Sequence, residues 1–122
     1  YALIGGKVEL GEDSTQKIKR EILEEMGKEI EIIGYAATIE NFFEGKDYKT
    51  HEIQFVYKAE FTNENDKILQ KTIKNVEGND YLQYEWLDLG NLDKYLIKPQ
   101  VVKEILKENI YPVHKINRDK KV

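Results

Sequence analysis

An α/β fold is what this 122-residue sequence predicts, and three observations carry the reading. A glycine-rich opening runs straight into a segment with apolar residues at every fourth position. Two apolar-rich runs then meet at a glycine-containing turn, and a proline near the end introduces a second apolar-striped segment. The first and last patterns have the helical period, and the middle one has the period of paired strands.

Residues 5–12 read as loop. Asp13 and Gln16 have the spacing of a capping box with Asp13 as N-cap, and the helix they open runs to Met26, where Gly27 stops it. Ile18, Ile22 and Met26 form its buried stripe. From Glu29 to Phe43 the chain reads as a long strand, and a turn around Glu44-Gly45-Lys46-Asp47 leads to a second. There Ile53, Phe55, Tyr57, Ala59 and Phe61 alternate with Gln54, Val56, Lys58 and Glu60, which makes the pair a hairpin. Residues 62–80, polar with Asn and Asp throughout, read as loop. A strand near Tyr81–Leu87 follows, with Tyr84 and Trp86 in the core. Pro99 starts the last helix, whose inner face is Val101, Val102, Ile105 and Leu106, and Lys115–Val122 reads as a basic tail that frays.

The first helix carries an unusual load. Glu21 and Glu25 border its buried stripe and Glu24 lies one step further toward solvent. Like charges at this spacing each cost roughly 0.2–0.5 kcal/mol, so the cluster implies a cation. The run from Gly5 through Gly27 fixes the reading: a glycine (Gly6), five residues, Glu12, seven residues, then Arg20-Glu21-Ile22-Leu23-Glu24-Glu25-Met26-Gly27. This spacing resembles the Nudix box, the signature of the Nudix hydrolases. Two positions depart from that pattern: Lys28 replaces an aliphatic residue, and Ile4 stands where many members have proline. Both are read as packing variations.

The resemblance sharpens the fold to a mixed β-sheet sandwiched between α-helices. It also implies a single Nudix domain over residues 1–122. Strands and a substrate-contacting segment precede the box in the family, whereas only Tyr1-Ala2-Leu3-Ile4 precedes it here, so the N-terminal strands are expected upstream of this numbering. The implied activity is hydrolysis of a diphosphate bond in a nucleoside diphosphate linked to another moiety. A divalent cation, Mg²⁺ with Mn²⁺ as substitute, neutralises the phosphates and activates water. By motif position Glu21, Glu24, Glu25 and the main-chain carbonyl of Gly5 are the implied metal ligands, with Glu12 and Gly6 in support. Glu21, Glu24 and Arg20 form the implied catalytic set, with Glu21 the first choice of general base and Arg20 orienting the carboxylates. Glu77 and Asp80, in the loop before the Trp86 strand, are the alternative ligand or base.

Composition excludes several other classes. With 19 basic against 23 acidic residues the formal charge is −4, which argues against a sequence-independent grip on nucleic acid. There is no cysteine, hence no thiolate site or disulfide framework, and no apolar run of membrane-spanning length. Cytoplasmic is the default location, a small nucleotide is the expected partner, and a homodimer is compatible with the sequence without being specified by it. Phe42, Phe43 and Tyr48 are candidates to stack a base, but strand packing is the favoured reading. His51 beside Glu52 is read as a structural histidine ahead of an acid-base pair, and Lys115, Arg118, Lys120 and Lys121 as a solubilising tail ahead of a phosphate contact. The rival to the enzyme is a catalytically silent Nudix-fold module that binds or senses a nucleotide; a third reading is a scaffold whose acidic helix binds Ca²⁺ or nothing. Retention of every glutamate of the box favours the enzyme.

Overall fold

The first helix, α1, spans Ser14–Met26 and is closed at both ends by the residues expected to close it. The Asp13 carboxylate accepts from the Gln16 N–H at 2.8 Å, and the Gln16 side chain accepts from the Asp13 N–H at 2.9 Å, a complete capping box. At the other end Gly27 turns left-handed at φ 67°, and its N–H returns to the Leu23 carbonyl. The computed structural model that shows these features describes residues 1–5, 9–47, 49–67 and 72–118.

The remaining elements are β1 (Ile30–Glu44), β2 (Lys49–Phe61), a 3₁₀ turn at Glu64–Lys67, β3 (Thr72–Lys74), β4 (Gln83–Glu85), a 3₁₀ segment at Leu89–Lys94, α2 (Val101–Glu108) and β5 (Val113–Arg118). One sheet has the order β2-β1-β5, with β1 and β5 parallel; the other pairs β3 with β4 antiparallel. The short connection between β1 and β2 is compatible only with an antiparallel pair, so the larger sheet is mixed. The chain forms two compact units. The first comprises Tyr1–Leu3, Tyr35–Tyr57 and Asp88–Val122, and the second Ile4–Gly34 and Lys58–Leu87.

In the second unit, Ile22 and Met26 of α1 and Ile30 of β1 are the buried centre, with Ile4, Ile18, Ile32, Phe61, Ile73 and Tyr84 packed around them. The helical stripe read from the sequence is therefore the face that α1 buries. Lys28 reaches Asp66 at 2.6 Å, so the position where an aliphatic residue was expected makes an ion pair instead.

The first unit is built differently. Ala37 and Ile39 of β1 and Val102 and Ile105 of α2 are buried, yet so are two asparagines, Asn41 and Asn117. They are linked in a chain: the Val101 N–H donates to Asn117 at 3.1 Å, Asn117 donates to Asn41 at 2.8 Å, and Asn41 donates to Glu52 at 2.9 Å. Each of these buried amides thus has a partner, which is the condition for tolerating it.

Several expectations are corrected here. The polar stretch 62–80 is more than loop, because Thr72–Lys74 pairs with β4 through Ile73 opposite Tyr84. Alternation within β2 identified the strand but not its covered face: Ile53 and Phe55 are more than half exposed, while Glu52, Gln54 and Val56 are half-buried. The hydrogen bonds that Asn41 and Gln54 give to Glu52 fix which face turns inward. Pro99 precedes α2 rather than starting it; its carbonyl accepts from Val102 in the turn that leads into the helix. The greatest difference is at the end of the chain. Val113–Arg118 is a strand beside β1, not a fraying tail, with Lys115 paired to Glu104 at 3.0 Å. Tyr48, Lys120 and Lys121 lie outside the described residues.

The asparagine chain gives the first prediction. Asn117→Ala leaves the Val101 N–H and the Asn41 carbonyl without their partner, and should lower unfolding free energy by about 1–3 kcal/mol in a urea titration. An unchanged midpoint would show that water replaces the side chain at no cost.

Candidate active site

All of the carboxylates singled out on α1 lie in the second unit, and Arg20 is at their centre. Its guanidinium binds Glu12 through two nitrogens, Nη2 at 2.7 Å and Nε at 3.0 Å. Its Nη1 donates to Glu21 at 3.3 Å and to Glu24 at 3.2 Å. The planar fork of arginine suits such sharing, since two parallel N–H groups match one carboxylate and a third nitrogen remains for others. Glu12 is held from the loop side as well, by the N–H of Glu9 at 2.8 Å. Arg20 and the Glu9 N–H together hold the Glu12 carboxyl at about 2, well below its ordinary 4.5. The hydrogen bonds to Glu12 in turn raise the pKa of the Arg20 guanidinium.

Glu25 has a different environment. Burial raises its pKa, a hydrogen bond from Tyr84 works in the opposite direction, and the nearby Glu21 carboxylate raises it again. The Tyr84 hydroxyl donates to Glu25 at 3.2 Å and accepts from Asn75 at 3.0 Å. Asn75 also orders the loop that follows, its side-chain oxygen accepting from the N–H groups of Glu77 at 2.8 Å and Asn79 at 3.3 Å. The loop's main chain is joined to the helix by a bond from the Val76 N–H to the Glu25 carbonyl at 2.8 Å.

The predicted residues are therefore not all placed alike. Glu21 and Glu25 are brought together. Glu24 is exposed and drawn toward Arg20, so no three His, Cys, Asp or Glu side chains converge on one point among the described residues. Of the loop candidates, Glu77 lies near enough for its charge to act on Glu25, whereas Asp80 is an exposed turn residue. Gly6 lies outside the described residues. Gly5 is placed beside the same flank, since a side chain begun there would start 3.6 Å from the Lys17 ammonium.

Two residues were missed by the sequence reading. Tyr84 was assigned to the core, and its ring does pack there, but its hydroxyl is a link between Glu25 and Asn75. Lys17 was overlooked altogether, although it is only 5 % exposed. Burial lowers its pKa, opposed first by the charge of Glu21. A cation four and eight residues before two glutamates was the available signal. Trp86, also expected in the core, is about half exposed and meets the ring of Phe61 by its edge.

The other aromatic candidates lie in the first unit. Phe42 is flanked by His51, stacked at 4.1 Å between centroids, and by the Arg118 guanidinium at 4.2 Å. Since β2 and β5 lie on opposite sides of β1, both ring faces are taken by neighbouring strands. His51 is thus part of a stack, while Glu52 is hydrogen-bonded to Asn41 and Gln54.

The comparison with protein families agrees with the motif, the family model for the NUDIX domain matching residues 1–108. The chain belongs to the Nudix family. A search of curated proteins gave no match to it. A Nudix domain accounts for the α/β architecture and supports a hydrolase acting on small nucleotide-derived substrates, in a family that uses divalent metals. No helix among the described residues is long and apolar enough to cross a membrane.

A pH prediction follows from Glu12. Its folded pKa lies below its unfolded value, so its contribution to stability is complete above pH 4.5 and is lost as pH falls toward about 2. Glu12→Gln should flatten the dependence of the unfolding temperature on pH across that window. Parallel wild-type and mutant curves would refute the pairing.

Proposed function

We propose that the chain is a metal-dependent pyrophosphohydrolase, which cleaves the diphosphate bond of a nucleoside diphosphate linked to another moiety by water attack at phosphorus. What supports this reading is the Glu21–Glu25 pair: two carboxylates close together at the edge of a core, beside an arginine already engaged by Glu12. Their donor chemistry fits Mg²⁺, with Mn²⁺ as substitute, because Mg²⁺ needs only one or two carboxylates when waters and substrate phosphates complete its shell. Glu21 and Glu25 would hold it, the Gly5 carbonyl would add a ligand, and Glu24 would join directly or through water. The cation supplies charge neutralisation on the phosphoryl oxygens and a more acidic water.

The protein groups do the rest. Glu21 accepts the proton of the attacking water as a bond forms from the water oxygen to phosphorus. The bridging P–O bond breaks, and two phosphorylated halves leave. Arg20 positions Glu21 through Oε1 and holds Glu24. Tyr84 holds Glu25 and, through Asn75, the main chain at Glu77. ADP-sugars, oxidised nucleoside triphosphates and dinucleoside polyphosphates are the substrate classes to try.

The test is a panel of these compounds with Mg²⁺ or Mn²⁺, products being resolved by chromatography. Glu21→Gln should lower kcat by about 10²–10⁴-fold, the range for loss of a general base, with the circular dichroism spectrum unchanged. Glu25→Gln should also lower turnover and raise the metal concentration needed for it. Near-wild-type rates in both variants would end the assignment. For the loop, Glu77→Gln should leave kcat within about three-fold of wild type; a loss as large as that of Glu21→Gln would move the base to Glu77.

A further inference from the structure

Lys17 has no role in the hydrolysis described above, and its position asks for one. It is the only charged residue among the buried side chains of the described residues, at 5 % exposure. It lies on the same line of α1 as Glu21 and Glu25, at intervals of four residues, and the charges of Glu21, Glu25 and Glu12 all act on it. Gly5, the expected backbone ligand, is next to its ammonium, with 3.6 Å between that nitrogen and the point where a Cβ would stand. The ammonium thus lies beside one expected ligand of a divalent cation and in the field of the others, with no ion pair to a carboxylate among the described residues.

The charges nearby make this arrangement intelligible. Arg20 is committed to Glu12 by two bonds and reaches Glu21 and Glu24 with its remaining nitrogen. Glu21 and Glu25 are one helical turn apart and both half-buried. Two adjacent carboxylates partly withdrawn from water require compensation, and a buried ammonium requires an anion. We propose that Lys17 is a tethered counter-cation of the Glu21–Glu25 pair, with which a divalent metal ion must compete for the site. The inference rests on the metal site of the proposed hydrolase and adds a regulation of it: the chain sets its own threshold of metal concentration. A stem that merely fills space would have no such effect, since lysine often buries its methylenes along apolar surface and keeps its charge in water.

Mn²⁺ titration of the full chain, followed by electron paramagnetic resonance of the free ion, separates these. Lys17→Met keeps an unbranched stem and removes the charge, and should tighten Mn²⁺ binding on the order of ten-fold, as expected when a nearby like charge is deleted. Lys17→Arg, which keeps the charge, should bind like wild type. In the metal-free protein, Lys17→Met should lower the unfolding temperature, and the loss should shrink in a Glu25→Gln background because the charge left uncompensated is gone. Unchanged or weaker Mn²⁺ binding by Lys17→Met overturns the proposal, as does an unfolding loss that is the same in both backgrounds. Tight Mn²⁺ binding by Lys17→Met with no turnover of any nucleotide would leave the counter-cation standing and remove the hydrolase.

Discussion

The charge of α1 is the constraint around which its unit is arranged. Three glutamates within five positions repel one another, each like pair at helical spacing costing roughly 0.2–0.5 kcal/mol unless a cation offsets it. Arg20 does most of this, since one guanidinium joins Glu12 from the loop to Glu21 and Glu24 from the helix. Its position depends on the helix starting in register, which the Asp13–Gln16 capping box ensures. The glycine-rich loop is thereby attached to the helix twice, by the cap and by Glu12. The carboxylate flank and the folding signals of the segment are the same few residues.

The first unit solves a polar problem by other means. Asn41 and Asn117 are buried, and a relay of hydrogen bonds from Val101 to the Glu52 carboxyl group satisfies them. It ties α2, β5, β1 and β2 together at one point. Such a relay specifies register closely, because shifting β5 by one residue would move Asn117 to the other face of the sheet. The charged cluster on α1 offers no comparable constraint on strands.

Much of this was legible in the sequence, for identifiable reasons. Capping, the Ile18-Ile22-Met26 stripe and the Gly27 stop depend on neighbours in sequence, and all were read correctly. The family was legible because the box is a spacing pattern, and spacing needs no tertiary knowledge. Tertiary pairing was harder. Val113–Arg118 looks like a solvated tail until β1 is there to pair with it, and Thr72–Lys74 is too short to declare itself without β4. Lys17 and the second role of Tyr84 escaped the sequence reading for a related reason: a lysine on a charged helix attracts no notice, and a tyrosine that packs in the core shows no hydroxyl partner, until the groups around them are placed.

The loop after β3 is fixed at more places than its polar composition suggests. The Val76 N–H is bonded to the Glu25 carbonyl, the Val76 side chain lies against Gly27, and Asn75 is held by Tyr84. The tip is tied down as well, since the Asn75 side-chain oxygen accepts from the N–H groups of Glu77 and Asn79. One asparagine side chain thus does for this loop what strand pairing does elsewhere: through Tyr84 it passes the position of the end of α1 to the main chain at Glu77.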